Sequence, residues 1–471
     1  MTDDMPVVVL GGGLAGYSAA VAAAAAGAPV LLIDKADRPG GSTLRSGGSF
    51  AFAGTDLQAA LGIDDSTQLL REDLLQGGGS QCDPQLVELY VAHQLEAYDW
   101  LRGLGAVFDG VSLSGNQSAP RSHGVDIVAT HGLVRAEAAG HGRITELLAT
   151  TTRRLLLHEG RVTGVVTRTG DGPAIARPAR AVVLATGGFA AGSRAIATFA
   201  PGLVNARRMG GEHNTGDGHY LAMAAGADLA DIGSVKATFG VTADVAGVPA
   251  TPTLLNALYR GGIAVNTAAG RFVDESLSYK LIGGVCLEQP GGIAYQIFDE
   301  QVMDQTIPDK LVNNYRGALE RGYLLRADTV EELARLAHLD PATLTATLER
   351  YNAAVVSGYD TEFGRTHLTS GYGGLIRIDT APFYAYPSTA GLTSTYGGLR
   401  VDARMRVAHV LGGHIPGLLA AGEIVGAFHG NAYMSGSSLA KSVIFGRIAG
   451  AGAAHERVTP VAQPDPAVSH H

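Results

Sequence analysis

Apolar residues in this chain gather in short unbroken runs that end at glycine turns. The first run, Pro6-Val-Val-Val-Leu10, leads into Gly11-Gly-Gly13 and an alanine-rich stretch through Ala26. A second run, Val30-Leu-Leu-Ile33, is closed by Asp34. A short apolar run bounded by turn signals suits a strand buried on both faces. The alanines suit a helix made thin for close packing on a sheet. The pattern predicts strand, glycine turn, helix, and a second strand ending in an acid. A buried strand with a small-residue turn returns at 179–188, and a glycine turn at Leu418–Glu423 precedes a long apolar helix through 444–452.

Helical spacing is predicted around 66–75, over 84–104 with Pro84 at the helix start, and over the amphipathic stretch 341–356. Residues 143–169 read as a helix over Ile144–Leu155, a strand at 156–158, a turn at Gly160 and a strand over Val162–Arg168. From about 235 to 375 the character changes, with Gly261-Gly-Ile-Ala-Val-Asn266, Arg271-Phe-Val-Asp-Glu-Ser276 and a strand at 294–298. Because the glycine-turn units lie on both sides of this stretch, it reads as an insertion. The expected organisation is a dinucleotide-binding domain over 1–234 and 376–458, a cap domain over 235–375, and a tail from 459 to 471. The fold class is α/β: a Rossmann-like dinucleotide-binding domain with an inserted α+β cap (substrate) domain.

The turn chemistry gives the first functional expectation. Gly11, Gly13 and Gly16 fit G-x-G-x-x-G, and Asp34 lies 18 residues beyond the last of them. Gly11 permits the tight turn, Gly13 the approach of a pyrophosphate, and Gly16 close packing of helix on sheet. The free N–H groups of the helix start, at Leu14 and Ala15, face the phosphates, and Asp34 accepts from a ribose. The repeated return of such turns along the chain favours FAD over a nicotinamide cofactor.

Composition narrows the alternatives. At 471 residues the chain holds two or three domains, and 46% apolar content supplies a large core. A net charge of −9 offers no basic surface for nucleic acid or anionic lipid. Cys82 and Cys286 are the sole cysteines, too few for a disulfide scaffold, zinc site or iron–sulfur cluster. His123, His131 and His141 are scattered and read as surface or packing residues. The glycines at 11–13 and Asp34 argue against a membrane span over 7–33. With no secretory signal pattern at the start, the expected location is cytoplasmic.

These motifs resemble the fumarate reductase/succinate dehydrogenase flavoprotein superfamily along the whole chain. The matching elements are Gly11–Gly16 with Asp34, Gly40-Gly-Ser-Thr43 with Gly47-Gly48, Ala185-Thr-Gly-Gly188, Gly216-Asp-Gly218, Ala421-Gly-Glu423 and Ser437-Ser-Leu439. The resemblance implies FAD contacts at Lys35, Gly41, Ser42, Thr43, Ser46, Gly47, Gly48, Ala185, Thr186, Gly187, Asp217 and Gly422. It implies further that Glu423 holds the ribityl chain and that Ser437, Ser438 and Leu439 lie along the pyrimidine edge. Members with covalent flavin carry a His near the position of Gly41. None is present there, so the FAD is expected to be non-covalent.

The superfamily interconverts a CH–CH bond and a C=C bond beside an electron-withdrawing group. Dicarboxylate-using members hold their substrates with cations, since guanidinium matches carboxylate geometry. Here Tyr279, Val302-Met303, Thr395 or Tyr396, and Tyr433 stand where four such cations are expected. What stands there instead resembles the 3-ketosteroid dehydrogenases of the Δ1 or Δ4-(5α) type. Arg271-Phe-Val-Asp-Glu-Ser-Leu-Ser-Tyr279 approximates their motif, and Tyr433-Met-Ser-Gly436 matches their last Tyr and Gly with one residue fewer. The implied activity is oxidation of a saturated cyclic ketone, steroidal or a smaller ring, to the enone. Tyr279 would abstract the α proton, with hydride passing to flavin N5. Tyr433 and the Gly436 N–H would polarise the ketone, with Tyr396 and Ser435 as further candidates. Lys280 could help Tyr279 ionise. Phe108 stands where the Δ1 branch has another Tyr, which puts Δ1 regiochemistry in question. His429 reads equally as a structural residue of the flavin loop or as a proton relay. Two rivals stay open: an enoate or enone reductase with the same groups, and a non-catalytic flavin-binding protein. The electron acceptor is unknown.

Overall fold

A computed structural model describes residues 5–79, 81–308, 310–368 and 372–457. The expected tail from 459 lies outside the described residues. Two compact units are present. One combines the chain up to Ala195 with Gly210–Val235 and the chain from Ser394 onward; the other combines Ile196–Met209 with Lys236–Thr393.

The first unit is built on a six-stranded sheet in the order 406–408, 414–420, 181–184, 7–10, 30–33, 144–147. Val7 pairs with both Ala181 and Val30, all parallel, so the central strand is buried on both faces. This explains why Val7–Leu10 and Ala181–Leu184 show no polar alternation. Helix Leu14–Ala25 follows the first glycine turn, and helix Ser437–Ala454 packs along it. Their seam is backbone against backbone. A Cβ on Gly446 would lie 2.5 Å from the Ala15 carbonyl, and one on Gly450 2.0 Å from that of Ala19. The alanine run is thin for this helix as well as for the sheet, and a larger side chain at Gly450 would overpack the seam at a cost of about 1–3 kcal/mol.

One predicted element is overturned. Residues 144–155 form no helix: Ile144–Leu147 pairs parallel to Val30–Ile33 at the sheet edge, and Thr150–His158 starts a three-stranded antiparallel sheet with Arg161–Thr169 and Ile175–Pro178. Ala149, at φ +49°, breaks the chain between them, and the β-branched run Thr150-Thr-Thr152 favours the extended form. The helix that crosses over to this edge strand is Ile127–Gly140, started by Asp126 accepting from Val128 and Ala129. Its dispersed apolar positions give little helical signal in the sequence.

In the second unit, the ten-residue strand Phe383–Leu392 is buried throughout and pairs antiparallel with Ala294–Asp299, Thr238–Thr242 and Leu325–Ala327. Helix Pro341–Ser357 begins at Asp340, whose carboxylate accepts from Thr343, and ends at Gly358 in a left-handed conformation. Among the described residues, no helix is long and apolar enough to cross a membrane.

Candidate active site and cofactor cradle

At the end of the first strand, Gly11 adopts φ +110°, and a Cβ there would lie 2.2 Å from the Ala185 carbonyl. A Cβ on Gly16 would lie 1.8 Å from the Gly11 carbonyl, so both positions demand glycine. Gly13 caps the following helix without a side-chain partner. In the first turn, the Leu14 N–H donates to Thr43 Oγ1 at 3.1 Å. Asp34 accepts from the Gly12 N–H at 2.6 Å and the Ala36 N–H at 2.8 Å. A carboxylate offers about four lone-pair sites, so acceptor capacity remains for sugar hydroxyls. His131 is buried with Nε2 3.1 Å from the Gly12 carbonyl, and His123 is buried against Thr55 and the Arg121 carbonyl. Both pack within this unit.

The second loop wraps onto the same unit. Ser42 Oγ accepts from the Gly211 N–H and Asn214 Nδ2 at 3.1 and 3.2 Å. Ser46 donates to the Thr43 carbonyl at 2.7 Å. Gly48, at φ +66°, brings its backbone so close to Val125 that a Cβ would lie 2.3 Å from that carbonyl. Gly41 and Gly47 are exposed, with open space where a Cβ would go. Lys35 Nζ binds Asp217 at 2.6 Å and Thr215 at 2.5 Å, so the Asp217 carboxylate ties two segments of this cradle together.

Ala185, Thr186 and Gly187 follow the 181–184 strand, and Gly422 and Glu423 follow the 414–420 strand. The partly buried Glu423 carboxylate accepts from the Thr395 N–H at 2.8 Å and from Asn214 Nδ2 at 3.0 Å. Burial pushes its pKa up, against these hydrogen bonds. Ser437 donates to the Met434 carbonyl at 2.7 Å, and Leu439 is buried in the first turn of the last helix. That helix starts at Gly436, φ +84°, again with no side-chain cap. Two buried polar atoms, Asn214 Oδ1 and Thr186 Oγ1, have no hydrogen-bond partner among the described residues. Two side-chain-free helix starts, unsatisfied buried acceptors and glycines that open the backbone make a donor and acceptor set that fits a large polar dinucleotide.

Next to this cradle lies an aromatic cluster. Tyr396 and Tyr433 stack with centroids 5.7 Å apart and planes 3° from parallel, and the His429 ring lies 5.2 and 5.4 Å from them. The Gly436 N–H donates to the Tyr433 oxygen at 3.1 Å, which polarises the phenol. Burial pushes the Tyr433 pKa up, only partly offset by Gly436 and Ser438, so at neutral pH it is a protonated donor. Ser438 Oγ lies 3.4 Å from His429 Nε2.

Two residues that bear on this loop escape sequence reasoning. Asn116 Nδ2 donates to the Tyr433 carbonyl and Gln117 Nε2 to the Ser435 carbonyl, each at 2.8 Å. The Ser435 N–H donates to the Gly115 carbonyl at 3.0 Å. A Ser-Gly-Asn-Gln loop more than three hundred residues upstream carries no motif; only its left-handed Asn116, φ +59°, marks it as a tight turn.

In the other unit, Tyr279 is the first residue of helix Tyr279–Leu287, capped by Ser278. Its ring is 6.1 Å from Tyr259, which stacks on Tyr372 at 6.3 Å. Lys280 turns inward, is buried, and donates to Thr238 and Thr393 at 2.6 and 3.1 Å, with its ammonium 5.4 Å from the Tyr279 ring centre. The motif before it is structural. Arg271 binds Glu275 at 2.6 Å and Asp360 at 3.0 Å, all buried, while Glu275 also accepts from the Ala264 N–H. Burial alone would lower the Arg271 pKa; the carboxylates more than reverse it. This network fixes the approach to the helix that carries Tyr279. Val302 and Met303 are fully buried core residues packed with Phe298 and Tyr384.

The fold and this cradle define a class, the FAD-dependent oxidoreductases, and the FAD binding domain family matches residues 6–439. The chain belongs to the fumarate reductase family within it and is an FAD-dependent enzyme acting on CH–CH bonds. It is 33% identical over 458 residues to a probable fumarate reductase of Shewanella frigidimarina, covering 95% of this chain and 74% of that one. The open conformation of a flavocytochrome c3 fumarate reductase superposes with TM-score 0.83 and 32% identity, covering 97% and 79% of the two chains. The 3-ketosteroid-Δ4-(5α)-dehydrogenase of Rhodococcus jostii RHA1, in complex with 4-androstene-3,17-dione, gives TM-score 0.76 and 28% identity over 96% of each chain.

Proposed function

We propose that this enzyme oxidises a saturated cyclic ketone, a 3-ketosteroid or a smaller cyclohexanone-type ring, to the α,β-unsaturated ketone, with FAD bound non-covalently in the cradle just described. Bound FAD supplies the hydride acceptor. Tyr279 takes the α proton, and the Tyr433 hydroxyl, polarised by the Gly436 N–H, holds the ketone oxygen as it gains negative charge. Tyr396 orients Tyr433 by stacking, and Ser435 supports the same loop.

The observation that carries this reading is the pairing of Tyr433 with the Gly436 N–H. A neutral hydroxyl donor suits a single ketone oxygen, whereas a carboxylate calls for a charged, forked partner. The likeness to the steroid dehydrogenase over nearly the full length of both chains supports it. The likeness to fumarate reductases favours a second reading, reduction of an enoate or enone, for which the same groups serve in reverse.

The test is anaerobic absorbance of the oxidised protein on adding saturated cyclic ketones from single rings to 3-ketosteroids, with succinate as control. The proposal expects bleaching by a ketone and none by succinate. Failure of every ketone, with reoxidation of the chemically reduced protein by an enone or enoate, would replace it with the reductase reading.

A further inference from the structure

Helix Thr67–Gly77 buries Leu70, Asp73 and Leu74, and the acid stands out between its apolar neighbours. Its partner is Arg121, whose side chain has no exposed surface. Arg121 Nη1 lies 2.9 Å from Asp73 Oδ2, and Nη2 donates to Asp65 Oδ1 at 2.9 Å. Desolvation offsets much of the attraction in such a buried cluster, so stability alone is a weak reason for it. The two acids serve different neighbours. Asp65 Oδ2 accepts from Gln58 Nε2 at 2.8 Å. Asp73 Oδ2 accepts instead from the Ser118 N–H at 2.7 Å and the Ser118 hydroxyl at 2.8 Å. Ser118 closes the loop Ser114-Gly-Asn-Gln-Ser118, which has no apolar side chain to anchor it by burial. From this loop, hydrogen bonds run to the Tyr433 carbonyl and to the Ser435 carbonyl and N–H. The end of the same helix also holds this segment, with the Gly78 carbonyl accepting from the Asn431 N–H at 3.0 Å.

We propose that Asp73, held by Arg121, is a positioning residue for the pair formed by the Tyr433 hydroxyl and the Gly436 N–H. This rests on the reading of that pair as the group that holds the ketone oxygen. The contacts are continuous: Arg121 fixes the carboxylate, the carboxylate fixes Ser118, and the loop fixes the backbone on both sides of Met434. A hydrogen bond to an ionised group is roughly twice as strong as a neutral one. The Asp73 contacts are therefore the firm point of a loop whose bonds to 433–435 join neutral groups. The Gly436 N–H reaches back to the hydroxyl of Tyr433, so a shift of the backbone between them pulls donor and hydroxyl apart. Misplacement by about 1 Å can cost on the order of 10²-fold in rate.

The experiment uses Asp73→Asn, which keeps the volume and an acceptor oxygen but not the charge. Single-turnover flavin reduction by a saturated cyclic ketone is followed in the FAD-loaded wild type, Asp73→Asn, Tyr433→Phe and the double variant. At saturating ketone, Asp73→Asn is expected to reduce flavin roughly 10- to 100-fold more slowly, with the flavin spectrum unchanged. In the Tyr433→Phe background the same change is expected to cost under about twofold, because the hydroxyl that it positions is gone. A merely structural acid would slow both backgrounds by the same factor. That result, or a wild-type rate in Asp73→Asn, would overturn the proposal. If Asp73→Asn does not fold, Ser118→Ala leaves the ion cluster whole and is read by the same comparison, with a loss of about three- to tenfold expected. Should the wild type act on no ketone, the proposed function fails by itself, and the positioning role is read without substrate. In protein labelled with 3-fluorotyrosine, the fluorine resonance lost in Tyr433→Phe is then expected to move in Asp73→Asn. An unmoved resonance would overturn the positioning role.

Discussion

Tyr433 and Tyr279 carry the same phenol into opposite surroundings. Tyr433 accepts from a backbone N–H, stacks on Tyr396, and is pushed by burial to stay protonated. Tyr279 stands at a helix start, partly buried, with a lysine ammonium 5.4 Å from its ring centre. A helix N-terminus and a cation both favour negative charge beside them. On the proposed reading, the neutral setting suits a donor and the positive one a base, so the surroundings would separate two roles that residue type alone leaves equal.

The largest expected effect is from Tyr279→Phe. Loss of a general base should lower kcat for ketone oxidation by about 10²–10⁴-fold while the bound-flavin spectrum stays unchanged. Equal turnover in the variant would break the comparison at its first member. Next, Tyr433→Phe should cost about 10²–10³-fold in kcat, as for the loss of one oxyanion donor, without moving the acid limb of the pH profile. Because Tyr433 is held above its ordinary range near 10, the alkaline loss of activity should fall above about pH 10 in the wild type. A loss at lower pH would show Tyr433 to be the ionising group.

Lys280→Met sharpens the contrast. Removing the cation beside Tyr279 should lower kcat for ketone oxidation while leaving KM unchanged, read from steady-state rates. Unchanged kcat would mean that Lys280 only ties Thr238 to Thr393. The smallest effect is expected from Asn116→Ala, which removes one hydrogen bond from the loop carrying Tyr433. It should lower stability by about 0.5–1.5 kcal/mol in denaturant melts and reduce kcat more than it raises KM.

How far these features were legible depends on their range. Gly11, Gly16 and Gly48 could be read from the chain because each answers a local steric demand that only glycine meets. The strand 7–10 was legible because a strand buried on both faces has no polar alternation to hide. The stretch 144–155 was not: its apolar positions fit a helix in isolation, and pairing with Val30–Ile33 overrode that preference. The Asn116 and Gln117 brace was invisible because its partners are carbonyls, which carry no side-chain signature.

The sequence by itself determined the glycine turns, the buried parallel strands, the FAD class and the tyrosines standing where cations were expected, since these depend on residue type and short spacing. Only the tertiary structure decided that the Arg271–Glu275 motif is a buried ion network. It also decided that Lys280 points inward to two threonines, and that the buried Lys441 donates to the Val425 carbonyl. Those outcomes depend on charges and hydrogen-bonding groups meeting from distant segments, where burial makes the choice of partner matter and where no local pattern records it.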